Sequence, residues 1–429
     1  MKILVISRTP WNNSNSFGNT FSNLFGGMED VEIYNIACRH GKNNNAVVKK
    51  TIQCTDKSVL KSIYKPKFDP CFEIECINNE INQELSENAR RKRSTISFII
   101  RDLIWKFGRW KKSKTLRDFL SEIKPDILYL PIYASPYMCD IQNFIINKLR
   151  VPVVGHISDD VYGYPPKISL LGKWYRLKLR KKIRKLIKNC SYLEVFAENM
   201  KDQYASMFKK ECYLIGKGVK KEQIEQIKIQ EQMQSSLHFV YTGNIGGDRY
   251  RSLAEIGHSI SKTFNSGDAV LDIYSTTPLN KEMKTVFEGC DAIKFHGGID
   301  REKVDEVQRN ADFLVHVEGF SNSAIFSAKM SFSTKIIDYL LMGKVLFAYG
   351  PEQVNSIQVI KNNQIGLCAT SQEELNKLIE DIYKKEINLK DIGEKTKEYL
   401  VEYRDITLIQ EGIFQRMKEL VNNNESFTN

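Results

Sequence analysis

Short apolar runs alternate with helix-length segments along most of the chain. In the first half these runs, rich in Val, Ile, Leu and Tyr, lie at 3–7, 31–36, 127–131, 153–156, 192–196 and 212–215. Parallel strands that are covered on both faces of a sheet give this pattern, because neither face needs polar side chains. The alternation therefore predicts an α/β fold built from βαβ units.

The pattern restarts after a polar segment at 217–236. The second series of apolar runs lies at 238–242, 270–274, 293–295, 313–316 and 345–349. A chain of 429 residues has room for two domains. We predict an N-terminal domain over 1–216, a linker over 217–236, a C-terminal domain over 237–400, and a closing helix over 401–429 that packs back on the N-terminal domain. Both domains are expected to be Rossmann-like and doubly wound, and to face each other across a ligand-binding cleft.

Composition indicates a soluble protein of a reducing compartment. Hydrophobic residues make up 42% of the chain and charged residues 27%, which is typical of globular domains. The nine cysteines form no C-x-x-C pair, so neither a disulfide framework nor a zinc ribbon is expected. No run reaches the roughly 18 apolar residues that span a bilayer, and the N-terminal run is too short for a signal peptide. We expect a cytoplasmic location.

The formal net charge of +11 is concentrated in the first half. Residues 237–429 carry 22 Lys+Arg and 28 Asp+Glu, which leaves a net +17 on the first 236 residues. Segments 90–114 and 167–188 each hold ten basic residues interleaved with aromatic and aliphatic ones. Such segments suit anionic lipid headgroups, so we predict peripheral contact with the inner face of the cell membrane. The alternative is a solvated basic face whose aromatic residues enter the core.

The second half opens with a strand and a glycine-rich loop. The sequence HFVYTGNIGGDRYRSL places Gly243, Asn244, Gly246 and Gly247 between a predicted strand and a helix that starts near 251–252, with Arg249 beside them. Glycines allow close backbone approach to a ligand, and a helix N-terminus favours anions. The loop predicts a diphosphate site; the alternative is an ordinary strand-to-helix turn.

A second candidate donor segment is SFSTKIIDYLLMGK, residues 331–344. Lys335 and Asp338 share one face of a helix predicted to open near Ser333. Lys335 can neutralise a phosphate, Asp338 can accept the two hydroxyls of a ribose, and Ser333 can cap the helix or meet a phosphate. The alternative is a surface ion pair.

The first half offers candidate residues at two predicted strand ends. His156 ends a strand, and Asp159 and Asp160 follow it in the loop, at the sheet edge where ligands bind, with Asp160 expected on the acceptor side. A lone histidine at such a position is otherwise structural. Gly18 and Asn19 are predicted to open a helix toward the cleft on the acceptor side, or else to lie in a polar surface loop.

These segments together resemble the retaining glycosyltransferases of the GT-B fold, in the family 4-like group that serves bacterial surface-polysaccharide assembly. The strand followed by Gly243 and Arg249 is similar to the family's donor loop, with Asn244 in place of an arginine. His156 matches the family's histidine position, with Asp159 close behind.

The likeness also covers the segment that ends in Glu318, Gly319 and Phe320. In the family, the glutamate of this segment contacts the donor sugar, and a second carboxylate follows eight residues later. Here the next matching carboxylate is Asp338, twenty residues after Glu318. Either an insertion separates the two positions, or Glu318 has lost the donor-sugar role.

The resemblance implies an enzyme that moves a sugar from a UDP- or GDP-sugar to a lipid-linked saccharide, in capsule, exopolysaccharide or O-antigen assembly. It implies catalytic roles for His156, Asp159 and Glu318. The resemblance also implies no metal requirement and no cofactor, and the chain has no H-E-x-x-H motif and no spaced metal-ligand cluster. The alternatives are a UDP-sugar 2-epimerase of the same fold and a non-catalytic polyanion-binding protein; nucleic acid is not an expected partner.

Overall fold

The computed structural model describes residues 1–76 and 94–426, and the chain divides into two compact units. The first comprises Met1–Phe196, Met200–Gly218 and the chain from Thr407 onwards; the second comprises Ala197–Asn199 and Val219–Ile406. Each unit is built around one sheet. In the described part of the chain, no helix is both long and apolar enough to cross a membrane.

The first unit contains an eight-stranded sheet. Its strands are β1 (Lys2–Ser7), β2 (Glu32–Ala37), β3 (Val48–Cys54), β4 (Cys71–Ile74), β5 (Ile127–Pro131), β6 (Val153–Ile157), β7 (Tyr192–Val195) and β8 (Cys212–Leu214). They lie in the order β4-β3-β2-β1-β5-β6-β7-β8. All neighbours pair in parallel except β4, which is antiparallel to β3 at the edge of the sheet.

Helices connect and cover these strands. They are α1 (Ser16–Phe25), α2 (Asp56–Tyr64), α3 (Thr95–Phe107), a 3₁₀ helix (Arg109–Lys112), α4 (Lys114–Ile123), α5 (Pro136–Leu149), α6 (Leu170–Lys188) and α7 (Glu198–Phe208). Polar side chains fix where several of them begin. Asn15 caps α1, Thr55 caps α2 and Ser169 caps α6, each by accepting a backbone N–H of the first turn.

The C-terminal helix α17 (Ile406–Ser426) contributes to the core of the first unit. Ile413 and Met417 are fully buried and belong to the same hydrophobic cluster as Ile3 and Val5 of the central strand β1. Residues 427–429 of the predicted closing helix lie outside the described residues.

The second unit contains a six-stranded parallel sheet. Its strands are β9 (Leu237–Thr242), β10 (Ala269–Tyr274), β11 (Ile293–Gly297), β12 (Phe313–Val317), β13 (Val345–Tyr349) and β14 (Leu367–Ala369), in the order β11-β10-β9-β12-β13-β14. Its helices are α8 (Lys221–Glu225), α9 (Arg249–Thr263), α10 (Lys281–Phe287), α11 (Arg301–Arg309), α12 (Asn322–Ala328), α13 (Lys335–Leu341), α14 (Asn355–Asn363), α15 (Gln372–Tyr383) and α16 (Leu389–Arg404).

Apolar side chains cover both faces of this second sheet. Phe239 of β9 belongs to one hydrophobic cluster and its neighbour Val240 to another, because successive side chains of a strand point to opposite faces. The segment predicted as a linker, 217–236, includes Ile224 and Ile227, which are buried in the second of these clusters. Two buried faces explain why the strands of both units read as apolar runs.

Candidate functional site

The order of the second sheet reverses between β9 and β12. From β9 the chain winds outward through β10 to β11, whereas β12 lies on the other side of β9 and leads to β13 and β14. The loops after two such strands diverge and leave a crevice at their carboxyl ends, where doubly wound sheets bind ligands. Gly243 directly follows β9 and Glu318 directly follows β12, so two predicted donor residues lie at this point.

The loop between β9 and α9 is a tight turn. Gly247 and Asp248 both have left-handed backbones, with φ of +66° and +64°, a conformation that costs least at glycine. The Asn244 side-chain oxygen accepts the N–H of Gly246 at 2.7 Å, and the Asn244 carbonyl accepts the Tyr241 hydroxyl at 2.7 Å. Asn244 therefore uses both of its oxygens to hold the shape of the loop.

Arg249 forms an ion pair with Glu318. The helix α9 begins at Arg249, earlier than predicted, and places its Nε 3.0 Å and its Nη2 2.8 Å from Glu318 Oε2. The same Nε lies 3.2 Å from the Val317 carbonyl oxygen. A Cβ on Gly319 would lie 2.3 Å from the Gly247 carbonyl oxygen, so only glycine fits there. Glu318 thus lies beside the glycine loop despite the altered spacing to Asp338.

Burial and charge act in opposite directions on Glu318. The side chain is 8% exposed, and burial raises the pKa of Glu318, while the Arg249 guanidinium opposes that shift. A buried carboxylate without its partner would be strongly destabilised. The pairing with Arg249 therefore keeps the Glu318 carboxylate at the end of β12 as a hydrogen-bond acceptor.

Lys335 also lies beside the start of the glycine loop. Its Nζ donates to the Thr242 carbonyl oxygen at 3.1 Å and lies 3.1 Å from the place that a Cβ on Gly243 would occupy. Desolvation and the positive charge of Arg249 lower the pKa of Lys335, and Asp338 opposes that shift. Two cations therefore lie beside the loop and close enough to influence each other.

Ser333 and Asp338 flank Lys335 in sequence. The helix α13 begins at Lys335, two residues later than predicted, and the Ser333 carbonyl oxygen accepts the N–H of Ile336 at 3.0 Å. Asp338 lies in the first turn of α13, where its charge interacts with that of Lys335. The predicted i,i+3 relation of these two residues is present in the helix.

Two buried groups at this site were not indicated by any motif. The His316 Nε2 lies 3.1 Å from the Ser356 hydroxyl oxygen and 3.8 Å from Glu318 Oε1. Burial, with the charges of Arg249 and Lys335, lowers the pKa of His316 to about 3. His316 could have been found from the sequence, because it lies two residues before Glu318 at the end of β12, and residues two apart in a strand share a face. The second buried group is Tyr339, whose hydroxyl oxygen lies 2.9 Å from Thr242 Oγ1 and 3.2 Å from the Thr242 carbonyl oxygen.

In the first unit, His156 lies in β6 within a buried polar chain. The Tyr129 hydroxyl donates to Glu194 Oε2 at 2.6 Å, and Arg416 Nη2 donates to Glu194 Oε1 at 3.0 Å. His156 Nδ1 lies 3.1 Å from the same Tyr129 hydroxyl oxygen. A hydroxyl has one proton, and here Glu194 accepts it, so His156 Nδ1 must be the donor. This assigns the Nδ1–H tautomer and leaves Nε2 as an acceptor, 3.3 Å from the Ser158 hydroxyl.

The environment of His156 keeps its ring neutral. The side chain is 1% exposed, and the rings of Phe21 and Phe196 lie 4.9 Å and 5.0 Å from it, edge-on. Burial lowers the pKa of His156 to about 3. At neutral pH the residue therefore offers a lone pair instead of a positive charge.

The other predicted residues of the first unit have more local roles. Asp160 Oδ1 accepts the N–H groups of Tyr162 and Gly163 and the hydroxyl of Tyr204, at 2.8–2.9 Å. It thereby anchors the loop after β6, in which Asp159 is exposed.

Gly18 and Asn19 do not open a helix as predicted. The helix α1 begins at Ser16, because Asn15 caps it by accepting the N–H of Gly18 at 2.8 Å. A Cβ on Gly18 would lie 2.0 Å from the Asn12 carbonyl oxygen. Gly18 therefore permits close backbone packing, and Asn19 follows it, half-buried, in the helix.

Comparison with solved structures identifies the architecture of the chain. HepE from Anabaena, in complex with UDP, matches with a TM-score of 0.61 at 11% identity, over 98% of this chain and 100% of that chain. The lipopolysaccharide outer core galactosyltransferase WaaB matches with 0.59 at 13% identity, over 97% and 100%. Sucrose-phosphate synthase from Thermosynechococcus elongatus matches with 0.60 at 12% identity, over 99% and 100%. The chain has the GT-B fold.

The GT-B likeness confirms the predicted fold class of two Rossmann-like α/β units. No protein-family model and no curated protein matches the sequence. At 11–13% identity the solved structures show the fold alone. The roles of individual residues stay predictions, and the geometry described above is what supports them.

Proposed function

We propose that this GT-B chain is a retaining glycosyltransferase that moves a sugar from a UDP- or GDP-sugar to a lipid-linked saccharide. The observation that carries the proposal is the grouping of Arg249, Lys335 and the glycine loop at the switch point of the second sheet. The structural neighbours support it, since HepE is described in complex with UDP and with UDP-glucose. We place the reaction in capsule, exopolysaccharide or O-antigen assembly, for which the likeness to WaaB is the main support.

The proposed chemistry rests on stabilising the leaving diphosphate. Negative charge grows on the diphosphate as its bond to the sugar breaks, and fixed cations stabilise such charge because they are already oriented. The Nη1 group of Arg249 takes no part in the bonds to Glu318 and Val317, so it is available to a phosphate. Lys335 supplies the second charge. The leaving phosphate can accept the proton of the attacking hydroxyl, so the mechanism needs no strong protein nucleophile.

Polar groups around these cations are proposed to hold the sugars. Glu318 Oε1 lies 3.8 Å from His316 Nε2, beyond hydrogen-bond distance, and so can accept a donor-sugar hydroxyl. Asp338 is proposed to accept the ribose hydroxyls, and Ser333 to meet a phosphate. On the acceptor side, we propose that His156 Nε2 accepts a hydrogen bond from a hydroxyl of the acceptor saccharide. Asp159 lies three residues later in the sequence.

The proposal requires neither a metal ion nor a cofactor. Arg249 and Lys335 would supply the positive charge that a divalent cation supplies in other phosphate-transferring sites. Transfer should therefore continue in the presence of excess EDTA. A loss of activity that added Mg²⁺ restores would contradict this part of the proposal.

The first unit is proposed to bind an anionic membrane through α3 and α6, which pack against each other through stacked Phe98 and Tyr175 rings 6.2 Å apart. Apolar side chains of both helices are exposed to solvent, from 43% to 83%: Ile96, Ile100, Leu103, Phe107, Leu170, Leu171, Trp174 and Leu177. Exposed lysines such as Lys106 and Lys173 lie among them. Exposed apolar surface next to cations is typical of interfacial helices. Residues 90–93 of the predicted segment lie outside the described residues.

Vesicle sedimentation tests the membrane contact. The protein should bind phosphatidylglycerol vesicles at low salt, bind neutral vesicles weakly, and be released at high salt. Trp174→Ser should weaken binding, whereas Tyr383→Ser, at a residue of the second unit that is 51% exposed, should not. Absence of binding to anionic vesicles at low salt would refute a peripheral location at the inner face of the membrane.

Donor binding and transfer test the site. A screen of UDP-, GDP-, TDP- and ADP-sugars by thermal shift should identify the nucleotide, because a bound ligand raises the melting temperature. Lys335→Ala and Asp338→Ala should abolish transfer without unfolding the chain, whereas Lys329→Ala, an exposed residue of the same unit, should not. Full activity of both site variants would refute the assignment. An epimerised sugar formed from donor alone would favour the 2-epimerase.

A further inference from the structure

Three arginines and two tyrosines meet at the carboxyl edge of the first sheet. This sheet reverses its order between β1 and β5, so the loops that follow these strands diverge. Arg8 is the first residue after β1, and its backbone N–H donates to the hydroxyl oxygen of Tyr133, two residues after β5, at 3.3 Å. Arg39 lies two residues after β2, the strand next to β1.

The helix α3 brings a third guanidinium to this edge. Arg101 is 9% exposed, and its Cζ lies 4.8 Å from the centre of the Tyr137 ring, at the start of α5. Among the polar atoms of these arginines and tyrosines, three are buried and have no hydrogen-bond partner in the described part of the chain: Arg101 Nε, Arg39 Nη2 and the Tyr137 hydroxyl oxygen. Each such group costs about 1–3 kcal/mol when it stays unpaired. A ligand that accepts hydrogen bonds would remove that cost.

The guanidinium groups of Arg39 and Arg101 both lie close enough to Arg8 for their charges to act on it. Burial lowers the pKa of Arg8, and the charges of Arg39 and Arg101 lower it further. None of the three arginines forms an ion pair with a carboxylate of the described residues. Like charges that outnumber the nearby carboxylates favour the binding of an anion.

Two carboxylates lie close to the cluster. Asp56 accepts the indole N–H of Trp105 at 2.6 Å, and its charge acts on Tyr137. Asp102 follows Arg101 in α3, and both of its carboxylate oxygens are buried without a hydrogen-bond partner among the described residues. Burial raises the pKa of Asp102, and the charges of Lys178 and Arg101 oppose that shift. Three guanidinium groups outnumber these two carboxylates, so a net positive charge remains at the cluster.

We propose that Arg8, Arg39 and Arg101 bind the phosphate or diphosphate group of the acceptor, with the Tyr137 hydroxyl as a further donor. The planar guanidinium fork matches phosphate oxygens in a bidentate manner, and a cluster of arginines is a common solution for such groups. Binding of the anion follows from the cluster itself. Its assignment to an acceptor rests on the proposed glycosyl transfer.

The phosphate could belong to a lipid carrier or to a soluble sugar phosphate, and the placement of α3 favours the lipid. The buried residues of this helix are Arg101, Asp102 and Trp105. Its Ile100 and Phe107 are 53% and 63% exposed. A lipid bound to the exposed side would place its phosphate next to α3, the helix that carries Arg101 of the arginine cluster.

Calorimetry with inorganic pyrophosphate tests the anion site. Titrations are done in a Lys335→Ala background, so that the donor site of the second unit contributes little. Arg39→Gln and Arg101→Gln should each weaken pyrophosphate binding by roughly 10- to 100-fold, the value of one charge-assisted contact. Arg117→Gln, at an exposed arginine of α4, should leave it unchanged. The melting temperature of Arg39→Gln should stay the same or rise, because the substitution removes a like charge.

Neutral vesicles that contain a small fraction of a polyprenyl phosphate distinguish the two sources. Sedimentation with these vesicles that is lost in Arg101→Gln supports a lipid phosphate. Arg101-dependent binding of pyrophosphate without such sedimentation supports a soluble sugar phosphate. Equal pyrophosphate binding by wild type, Arg39→Gln and Arg101→Gln would overturn the site. None of these outcomes depends on UDP binding, so a failure of the proposed glycosyl transfer would be seen separately in the donor screen.

Discussion

Two buried histidines should make the folded chain less stable as the pH falls below neutral. Burial lowers the pKa of His156 to about 3, and burial with the charges of Arg249 and Lys335 lowers the pKa of His316 to about 3. In the unfolded chain both imidazoles return to their ordinary pKa of 6.5. The unfolded state therefore takes up protons that the folded state does not bind. The stabilisation is complete above pH 6.5 and is lost progressively toward pH 3.

The size of the effect follows from these values. At pH 5 the imidazole is mostly protonated in the unfolded chain and neutral in the folded chain. Each histidine therefore lowers the free energy of unfolding by about 2 kcal/mol relative to pH 7.5. Two histidines thus remove about 4 kcal/mol, a large part of the 5–15 kcal/mol that is usual for a folded protein. One residue lies in each unit, so both units should weaken.

Urea unfolding at pH 7.5 and pH 5 measures the effect. His156→Gln keeps a polar side chain but does not titrate, so its loss of unfolding free energy between the two pH values should be about 2 kcal/mol smaller than that of wild type. His40→Gln, at an exposed histidine of the same unit, should show the wild-type loss. If the free energy of unfolding of His156→Gln falls as much as that of wild type between the two pH values, burial does not hold the His156 ring neutral. The assignment of the Nδ1–H tautomer would then be wrong.

Two further predictions concern close packing and buried charge. Gly319→Ala places a Cβ against the Gly247 carbonyl oxygen, which should cost about 1–3 kcal/mol and weaken donor binding, measured by melting temperature and by titration with the donor. Arg416→Met leaves the fully buried Glu194 without its ion-pair partner and should cost about 3–5 kcal/mol in urea unfolding. Adding Glu194→Gln should recover much of that loss; no recovery would show that Arg416 acts mainly through packing.

The fold could be predicted from sequence where strands are central and apolar. The runs at 127–131 and 153–156 became β5 and β6, which are buried at every position. Three strands were missed, and all are short or polar. The strand β3 begins Val-Lys-Lys, β4 has four residues and runs antiparallel, and β14 has three residues at a sheet edge. The strands β4 and β14 lie at sheet edges, where fewer apolar side chains are needed, so their sequences resemble loops.

The site could be predicted only where its residues are close in sequence. The glycine loop with Arg249, and the pair Lys335 and Asp338, could be found because each lies within one strand-to-helix or helical segment. The pairing of Arg249 with Glu318 depends on β9 and β12 being neighbours, which no local pattern indicates. The cluster of Arg8, Arg39 and Arg101 comes from three different segments, and only the sheet order brings the loops after β1 and β2 together.

Arginines of the basic helix α6 also bind the loop that follows β6, in addition to the proposed membrane contact of this helix. Arg180 stacks on the Tyr162 ring with its Cζ 3.9 Å from the centroid, Arg184 donates to the Tyr162 hydroxyl at 2.8 Å, and Arg176 donates to the Gly163 carbonyl at 2.6 Å. These partners belong to the loop that follows β6 and His156. All three partner groups are neutral. Burial lowers the pKa of Arg176, and the charge of Asp160 in the same loop opposes that shift. A charge excess that sequence alone assigns to a membrane therefore also holds a candidate acceptor loop in place, and neutralising α6 would alter both.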